Sequence, residues 1–343
     1  MSQKIKVAIN GFGRIGRAFY RMSHEHPDFE VVAFNDLGNL ENLAYLLEYD
    51  TMYGRTPYSV ETNNDSLVVD GRKIKYLSER DPLKLPWKEM KIDVVIESTG
   101  IFTSYEKAKV HLDAGARRVV ISAPVKGEED SKIGKTILMG VNNSDLSSCS
   151  ISSNASCTTN ATSPLVAILN DAIGIEKAIL NTVHAYTATQ SIVDGPTRKS
   201  NLRVGRAAAQ NIIPSSTGAA IATTQVHTSL KNKFDGISLR VPVAVGSIVD
   251  VTFISKKDTT VEEVNNALSK AAESDTWKDL FAVSTDPLVS SDIIGAQYAA
   301  IADLEMTRVV DGNLVKVLAW YDNETSYTHT LVQHVSDLVE LLK

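Results

Sequence analysis

The sequence predicts an α/β fold in two parts: a parallel sheet wound with helices, then an α+β domain on a mainly antiparallel sheet. Three observations predict it. The first part of the chain alternates short apolar runs with amphipathic helical patterns, which reads as βαβ units. After about Ser156 the runs become longer and more β-like, as in a sheet with one covered face. The chain has 343 residues, too many for one average domain.

In order, strands are expected at Lys6–Asn10, Val31–Asn35, Asp93–Glu97 and Arg118–Ser122, and helices at Arg14–His24, Leu40–Glu48 and Ser104–Ala114. Val68–Ile74 reads as an inserted hairpin, because Asp70-Gly71 suits the positive-φ positions of a tight turn. A helix is expected over Thr158–Ala172; Pro164 fits it only near the start or at a kink, since proline lacks a ladder N–H. Strands follow at Lys177–Thr187, Ile237–Val245, Ser247–Ser255, Ala299–Val310 and, past Asp311-Gly312, Leu314–Trp320. Thr260–Glu273 reads as a helix among them, and Thr325–Leu342 as a C-terminal helix with one apolar stripe. The stretch between Ser191 and Pro214 is rich in Arg, Gly, Asn and Ser, and so long a loop in a compact domain is usually functional. Residues 1–156 with 322–343 are expected to form the first domain, and 157–321 the second.

The strand Lys6–Asn10 runs directly into Gly11-Phe12-Gly13-Arg14-Ile15-Gly16. A lone GxGxxG is a weak signal, but here it lies between a strand and a helix, and the next strand ends at Asp36. That context gives a tight turn, close backbone approach to a pyrophosphate and helix N–H groups facing the anion. Asp36 lies about twenty residues beyond Gly16, the usual spacing for a carboxylate on the adenosine ribose. A carboxylate repels a 2′-phosphate, so NAD is expected over NADP. The bland alternative is a strand–turn–helix whose glycines serve packing alone.

Composition narrows the partners. Lys and Arg number 35 against 41 Asp and Glu, a net charge of −6, which argues against nucleic acid or anionic membrane as the main partner. No apolar run approaches the ~20 residues of a membrane span. The chain opens on a strand-like run with no apolar leader, so a cytoplasmic address is expected. Two cysteines, Cys149 and Cys157, make no disulfide framework and no zinc pattern, so no metal is expected.

Ser156-Cys157-Thr158-Thr159-Asn160 places a cysteine where a polar turn becomes a helix. There the dipole and unpaired N–H groups favour the thiolate, and the same N–H groups can hold an oxyanion. The competing reading is a buried thiol acting as a small hydrophobe, which is the expectation for Cys149. A nucleophilic thiol needs a base, and His184 is the best candidate. It ends a strand that follows the cysteine's helix, so a strand–helix–strand return brings imidazole and thiol together. His24, His26, His111, His227, His329 and His334 read as solvated surface.

With these residues in view, the chain closely resembles the phosphorylating glyceraldehyde-3-phosphate dehydrogenase family. The resemblance runs the whole length. Its most specific blocks are Ser153–Asn160, His184-Ala185-Tyr186-Thr187-Ala188-Thr189-Gln190, Ile212–Ala220, Leu239-Arg240-Val241-Pro242 and Trp320-Tyr321-Asp322-Asn323-Glu324. Aldehyde and semialdehyde dehydrogenases that share a Rossmann domain and a Cys/His pair lack them. The resemblance implies a Rossmann-type NAD domain and thiohemiacetal and thioester intermediates on Cys157, with His184 as base. It implies glyceraldehyde 3-phosphate and inorganic phosphate as reactants, held by Thr187, Arg203 and Arg240 and by Ser156, Thr158, Thr217 and Gly218. It implies Asn10, Gly11, Gly13, Arg14, Ile15, Gly16, Asp36, Arg80, Thr99, Ser122 and Asn323 as cofactor contacts, and a homotetramer. Arg203 and Arg206 also read as solvated loop charges or subunit contacts. Arg240, a charge inside an apolar strand, demands a partner whatever the family.

Four features depart from the commonest pattern. Ala161 replaces a second cysteine one turn after the nucleophile, removing a disulfide partner from its helix. Ile221 replaces a lysine, Thr325 replaces a tryptophan, and Lys126–Lys135 reads as an expanded surface loop. Two other functions compete: erythrose-4-phosphate dehydrogenase, in which water replaces phosphate as acceptor, and a binding protein that keeps the NAD site without turnover.

Overall fold

The run Ile5–Asn10 becomes the central strand of a nine-stranded sheet. The computed structural model describes residues 4–125, 133–197 and 201–343. The chain divides into two compact units, Met1–Ala155 with Thr328–Lys343, and Ser156–Tyr327.

In the first unit the strands lie in the order Gly134–Thr136, Ile151–Ser153, Arg118–Ile121, Val94–Glu97, Ile5–Asn10, Phe29–Asn35, Arg72–Leu77, Ser66–Val69, Val60–Asn63. The first seven are parallel, and the last two are added antiparallel. Val94–Glu97 is buried at every residue, as expected for a parallel strand covered on both faces. The hairpin turns at Asp70 (φ 46°) and Gly71 (φ 76°), the two positive-φ positions of a type I′ turn.

Three expectations need correction here. The helix Ser104–Ala114 is two single turns, Tyr105–Ala108 and Val110–Asp113, meeting at Lys109. The Lys126–Lys135 segment falls mostly outside the described residues, but by Gly134 it is an edge strand on Ile151–Ser153. His24, His111 and His334 are not solvated: 7%, 0% and 0% of their surface is exposed. His24 bonds the Tyr20 hydroxyl one turn back at 2.8 Å, while the other two found polar partners distant in sequence, which helical spacing cannot reveal. Trp87 donates its indole N–H to His111 Nδ1 at 3.2 Å, and His111 Nε2 lies 3.0 Å from Glu97 Oε2. His334 is held between the Ser152 hydroxyl (2.7 Å) and Asn154 Oδ1 (3.1 Å).

The second unit is a seven-stranded sheet in the order Ile213–Ser216, Phe234–Val241, Ile175–Ala185, Ser247–Ser255, Leu314–Tyr321, Ala300–Val310, Phe281–Ser284. Four of its six pairings are antiparallel; Phe234–Val241 beside Ile175–Ala185, and Phe281–Ser284 beside Ala300–Val310, are parallel. Alternation along Ile175–Ala185 turns Leu180, Thr182 and His184 inward and leaves Ile179 59% exposed. The inward face packs on the helices Cys157–Ala172, Ala219–Val226 and Val261–Ala272 through Leu165, Leu169, Ala220, Leu268, Val251, Phe253 and Val317. Fully burying one such side chain stabilises by about 1.5–3 kcal/mol. The last of these helices starts in a capping box, Thr260 with Glu263, which satisfies two orphan N–H groups. The helix Ala219–Val226 has no counterpart in the sequence reading, where its first two residues closed the block Ile212–Ala220.

Candidate active site

The nucleophile's position is set by backbone. Ala155 takes a left-handed φ of 53°, a conformation rare for a residue with a side chain. Ser156 is then the N-cap of the helix Cys157–Ala172, its Oγ accepting the Thr159 N–H at 3.1 Å. The Ser156 hydroxyl also lies 2.7 Å from Thr159 Oγ1. Cys157 opens the helix, among N–H groups that have no intrahelical acceptor. Pro164 is the eighth helical residue and the helix continues through it to Ala172. Ala161, one turn after Cys157, is fully buried in the core.

The base comes from sheet register. In the parallel pair, His184 stands opposite Arg240, so both side chains project from the same face about one strand spacing apart. His184 Nε2 lies 3.3 Å from Cys157 Sγ. On the other side of the ring, Nδ1 lies 2.7 Å from Arg240 Nη1 and 2.6 Å from the Ala185 carbonyl oxygen. Arg240 Nη1 also donates to that carbonyl at 3.2 Å. These contacts join the two predicted catalytic residues and the predicted anion ligand in one cluster.

Burial and the Arg240 charge both act on the pair. Burial pushes the Cys157 thiol up, while Arg240 and the Thr158 N–H draw it down. Burial first, and the Arg240 guanidinium second, push the His184 imidazole down to about 3. Burial favours the neutral form of each, while the Arg240 charge favours the thiolate.

Tyr321 was not singled out by sequence. Its ring packs edge-on against His184, with centroids 5.9 Å apart. Its hydroxyl lies 2.9 Å from both Thr158 Oγ1 and Thr182 Oγ1. Thr182 donates to the Ile248 carbonyl, so it accepts from Tyr321, which leaves Thr158 to donate to Tyr321. Alternation places Tyr321 on the inner face with Val317 and Ala319, a signal that parity in the sequence could have given.

Asn323 is oriented by its oxygen. Oδ1 accepts the Gly246 N–H at 3.2 Å and the Ser247 hydroxyl at 3.1 Å, and Ser247 Oγ accepts the Ala185 N–H at 3.1 Å. This leaves Nδ2 as the end that Asn323 offers a ligand. Gly246 adopts φ +94°, and a Cβ there would lie 2.3 Å from the Ser290 carbonyl oxygen, so only glycine fits.

The remaining anion candidates are not joined to Cys157 or His184 by hydrogen bonds among the described residues. Thr187 is half-buried, its N–H donated to Gln190 Oε1 at 3.3 Å. Arg203 is exposed on a short turn tied by Asn201 to Ser215. Arg206 pairs with Asp194 at 2.8 Å, both side chains being exposed. Thr217 and Gly218 precede the helix Ala219–Val226, and a Cβ on Gly218 would meet nothing within 4 Å.

In the first unit, the glycine loop has the form a dinucleotide needs. Gly11 (φ +97°) passes so close to Ser98 and Thr99 that a Cβ would lie 2.7 Å from the Thr99 nitrogen; a Cβ on Gly16 would lie 2.2 Å from the Gly11 oxygen. Gly13 has open space around it and caps the helix Arg14–Ser23 with no side-chain acceptor, leaving N–H groups for an anion. Asp36 accepts from the Phe12 and Gly38 N–H groups, both at 2.8 Å. Two predicted contacts have side chains employed elsewhere. Arg14 is bound to Asp50 at 2.8 Å. Asn10 is buried, accepting from Asn35 and donating to Glu97 at 2.6 Å. Glu97 also accepts from the Thr99 N–H and hydroxyl, so a buried carboxylate braces the loop from beneath. Arg80 is exposed, and Ser122 and Ile15 are half-exposed.

Among the described residues, no group of three or more His, Cys, Asp or Glu is placed to hold a metal ion, and no helix is long and apolar enough to cross a membrane. Residues 5–105 match the family model of the glyceraldehyde 3-phosphate dehydrogenase NAD binding domain, and 156–323 that of the C-terminal domain. A glyceraldehyde-3-phosphate dehydrogenase of Clostridium acetobutylicum is 47% identical over 98% of this chain and 99% of its own length. One from Geobacillus stearothermophilus is 47% identical over 96% of each chain. A Rossmann glycine loop in one unit, a Cys–His pair in the other and this full-length similarity lead to one conclusion: the chain belongs to the glyceraldehyde-3-phosphate dehydrogenase family.

Proposed function

We propose that this protein catalyses the NAD-dependent oxidative phosphorylation of D-glyceraldehyde 3-phosphate to 1,3-bisphosphoglycerate. The observation that carries the reading is Cys157 Sγ, at a helix N-terminus, 3.3 Å from His184 Nε2. The sulfur attacks the aldehyde carbon as its proton passes to His184, giving a thiohemiacetal. NAD, which the glycine loop and Asp36 would hold, would supply the hydride acceptor. Loss of hydride from carbon and of the hydroxyl proton leaves a thioester on Cys157. A phosphate oxygen then displaces the sulfur, so the energy of oxidation is kept in an acyl phosphate instead of being lost to hydrolysis.

Arg240, Thr187 and Arg203 serve the substrate phosphate. Thr217, Gly218 and the helix-start N–H groups around Thr158 serve the inorganic one, since guanidinium supplies charge-assisted bonds and hydroxyls and N–H groups complete a cradle. Residues 1–156 with 322–343 act as the NAD domain and 157–321 as the catalytic domain. A cytoplasmic homotetramer is the form that fits. Ile192, Val193 and Leu202 in the long loop are 85%, 73% and 78% exposed, and Ile179 and Ile237 lie bare on the outer sheet face; apolar surface of this kind favours association.

The test is NADH formation with glyceraldehyde 3-phosphate, with and without inorganic phosphate. Phosphate-dependent turnover abolished by Cys157→Ser is expected. Turnover indifferent to phosphate would replace this reading with a hydrolysing sister activity, and NAD binding without turnover would reduce the protein to a binding module.

A further inference from the structure

Three buried polar side chains lie side by side where three adjacent strands of the first unit end. Glu97, Asn10 and Asn35 close Val94–Glu97, Ile5–Asn10 and Phe29–Asn35, and register sets Asn10 opposite both of the others. Every orientation among them is forced from the two ends. At one end the Glu79 N–H donates to Asn35 Oδ1 at 2.8 Å, so Asn35 Nδ2 faces Asn10 Oδ1 at 2.8 Å. Asn10 Nδ2 then faces Glu97 Oε2 at 2.6 Å. At the other end the Trp87 indole can only donate, so His111 Nδ1 accepts and Nε2–H points at the same Glu97 oxygen, 3.0 Å away. Glu97 Oε1 takes the Thr99 N–H at 2.9 Å and the Thr99 hydroxyl, whose own oxygen accepts the Ile101 N–H. Four donors thus converge on one carboxylate and fill its acceptor sites.

Each member of this chain adjoins a residue proposed to face the cofactor. Asn10 precedes Gly11, Asn35 precedes Asp36, Glu79 precedes Arg80, and Glu97 stands two residues before Thr99. We infer that Glu97 is a positioning residue for NAD, and that the chain Glu97–Asn10–Asn35 holds these four segments in their binding positions before the cofactor arrives. The inference rests on the reading of the glycine loop and Asp36 as the NAD site. A cradle formed in advance spares the ligand the cost of ordering it. Only an acceptor suits the centre of the chain. A glutamine of the same length would turn its NH2 group toward donors whichever way it faced, toward Thr99 or toward Asn10 and His111. Two buried donors would lose their acceptor, and the strain is relieved by moving the Thr99 segment. That segment cannot move without the glycine loop, because Gly11 passes so close that a Cβ on it would lie 2.7 Å from the Thr99 nitrogen. Ser98 ties the same two segments, its hydroxyl reaching the Gly11 carbonyl at 2.7 Å.

Calorimetric titration of the whole protein with NAD tests it. Glu97→Gln is expected to weaken NAD binding by roughly ten-fold or more, the worth of an orphaned buried donor, and to speed hydrogen exchange at the Thr99 N–H. His334→Leu is the control for a merely structural role. It also orphans buried partners in this unit, Ser152 and Asn154, but is expected to lower the thermal midpoint and leave NAD affinity intact. Glu97→Gln that loses stability yet binds NAD as the wild type does overturns the inference. So does His334→Leu weakening NAD as much as Glu97→Gln, since any loss of packing would then suffice. Asp36→Ala separates the inference from its premise: NAD affinity untouched by that change takes down the glycine-loop reading as well. Affinity lost in Asp36→Ala but kept in Glu97→Gln removes the inference alone. If Glu97→Gln does not fold, hydrogen exchange of the wild type decides. The Thr99 and Glu79 N–H groups are expected to be protected without NAD, and free exchange until NAD is added overturns the inference.

Discussion

His184 in the catalytic unit and His334 in the NAD unit are both buried imidazoles pushed down to about 3, yet their surroundings differ in kind. At His334 every bond has a single solution. Asn154 Oδ1 must accept, so Nδ1 carries the proton, and Nε2 accepts from the Ser152 hydroxyl. His111 is likewise determined: Trp87 must donate to Nδ1, so Nε2–H faces Glu97. At His184 the same counting gives two solutions, because Nδ1 faces both a donor, Arg240, and an acceptor, the Ala185 carbonyl. A buried histidine with a closed set of partners holds a fold, while one with contested partners is able to move a proton.

The largest expected effect that bears on this contrast is a crossing of phenotypes. His184→Asn should lower kcat by about 10²–10⁴-fold, the usual worth of a positioned base, while the thermal midpoint hardly moves. His334→Leu should leave kcat intact and cost about 1–3 kcal/mol for each hydrogen-bonding group it orphans. If His334→Leu lowers kcat as much as His184→Asn does at equal stability, the distinction fails.

Acid stability sharpens it further. Both rings bind protons less readily folded than unfolded, so between pH 6.5 and about 3 the unfolded chain holds more protons. Stability therefore falls as pH drops below 6.5, by about 1.4 kcal/mol per pH unit for each histidine. Denaturant midpoints measured across that window should show the fall, and His334→Leu should lessen its slope by about 1.4 kcal/mol per pH unit. A slope unchanged in the variant would mean that His334 does not titrate with unfolding.

The smallest effect concerns Tyr321→Phe. It deletes the hydroxyl that joins Thr158 and Thr182, at a cost of about 1 kcal/mol, and should cut kcat only a few-fold by loosening Thr158. A loss as deep as that of His184→Asn would show that Tyr321 itself takes part in proton transfer.

Much of the fold was legible because patterning was strong. Leu40–Glu48, Ser247–Ser255 and Thr325–Leu342 have the bounds expected of them. Short elements were not: Gly134–Thr136 and Ile151–Ser153 have three residues each, too few for a period. The nucleophile and base were legible from local context and resemblance. The contest at Nδ1 was not, because it depends on the register that sets His184 beside Arg240, 56 residues later. Burial of His111 was hidden for the same reason, its partners Trp87 and Glu97 being supplied by other elements.

Asn323 carries a different lesson. Its oxygen is anchored by Gly246 and Ser247, and its nitrogen is what it offers a ligand. An aspartate there would present the same oxygen to the same two donors, and the chain would fold as before. Only the outward atom would change, from a donor to an acceptor. Hydrolysis of this one amide to aspartate would thus put a buried negative charge where the ligand expects a donor, so the chemical age of Asn323 would be read first in ligand binding.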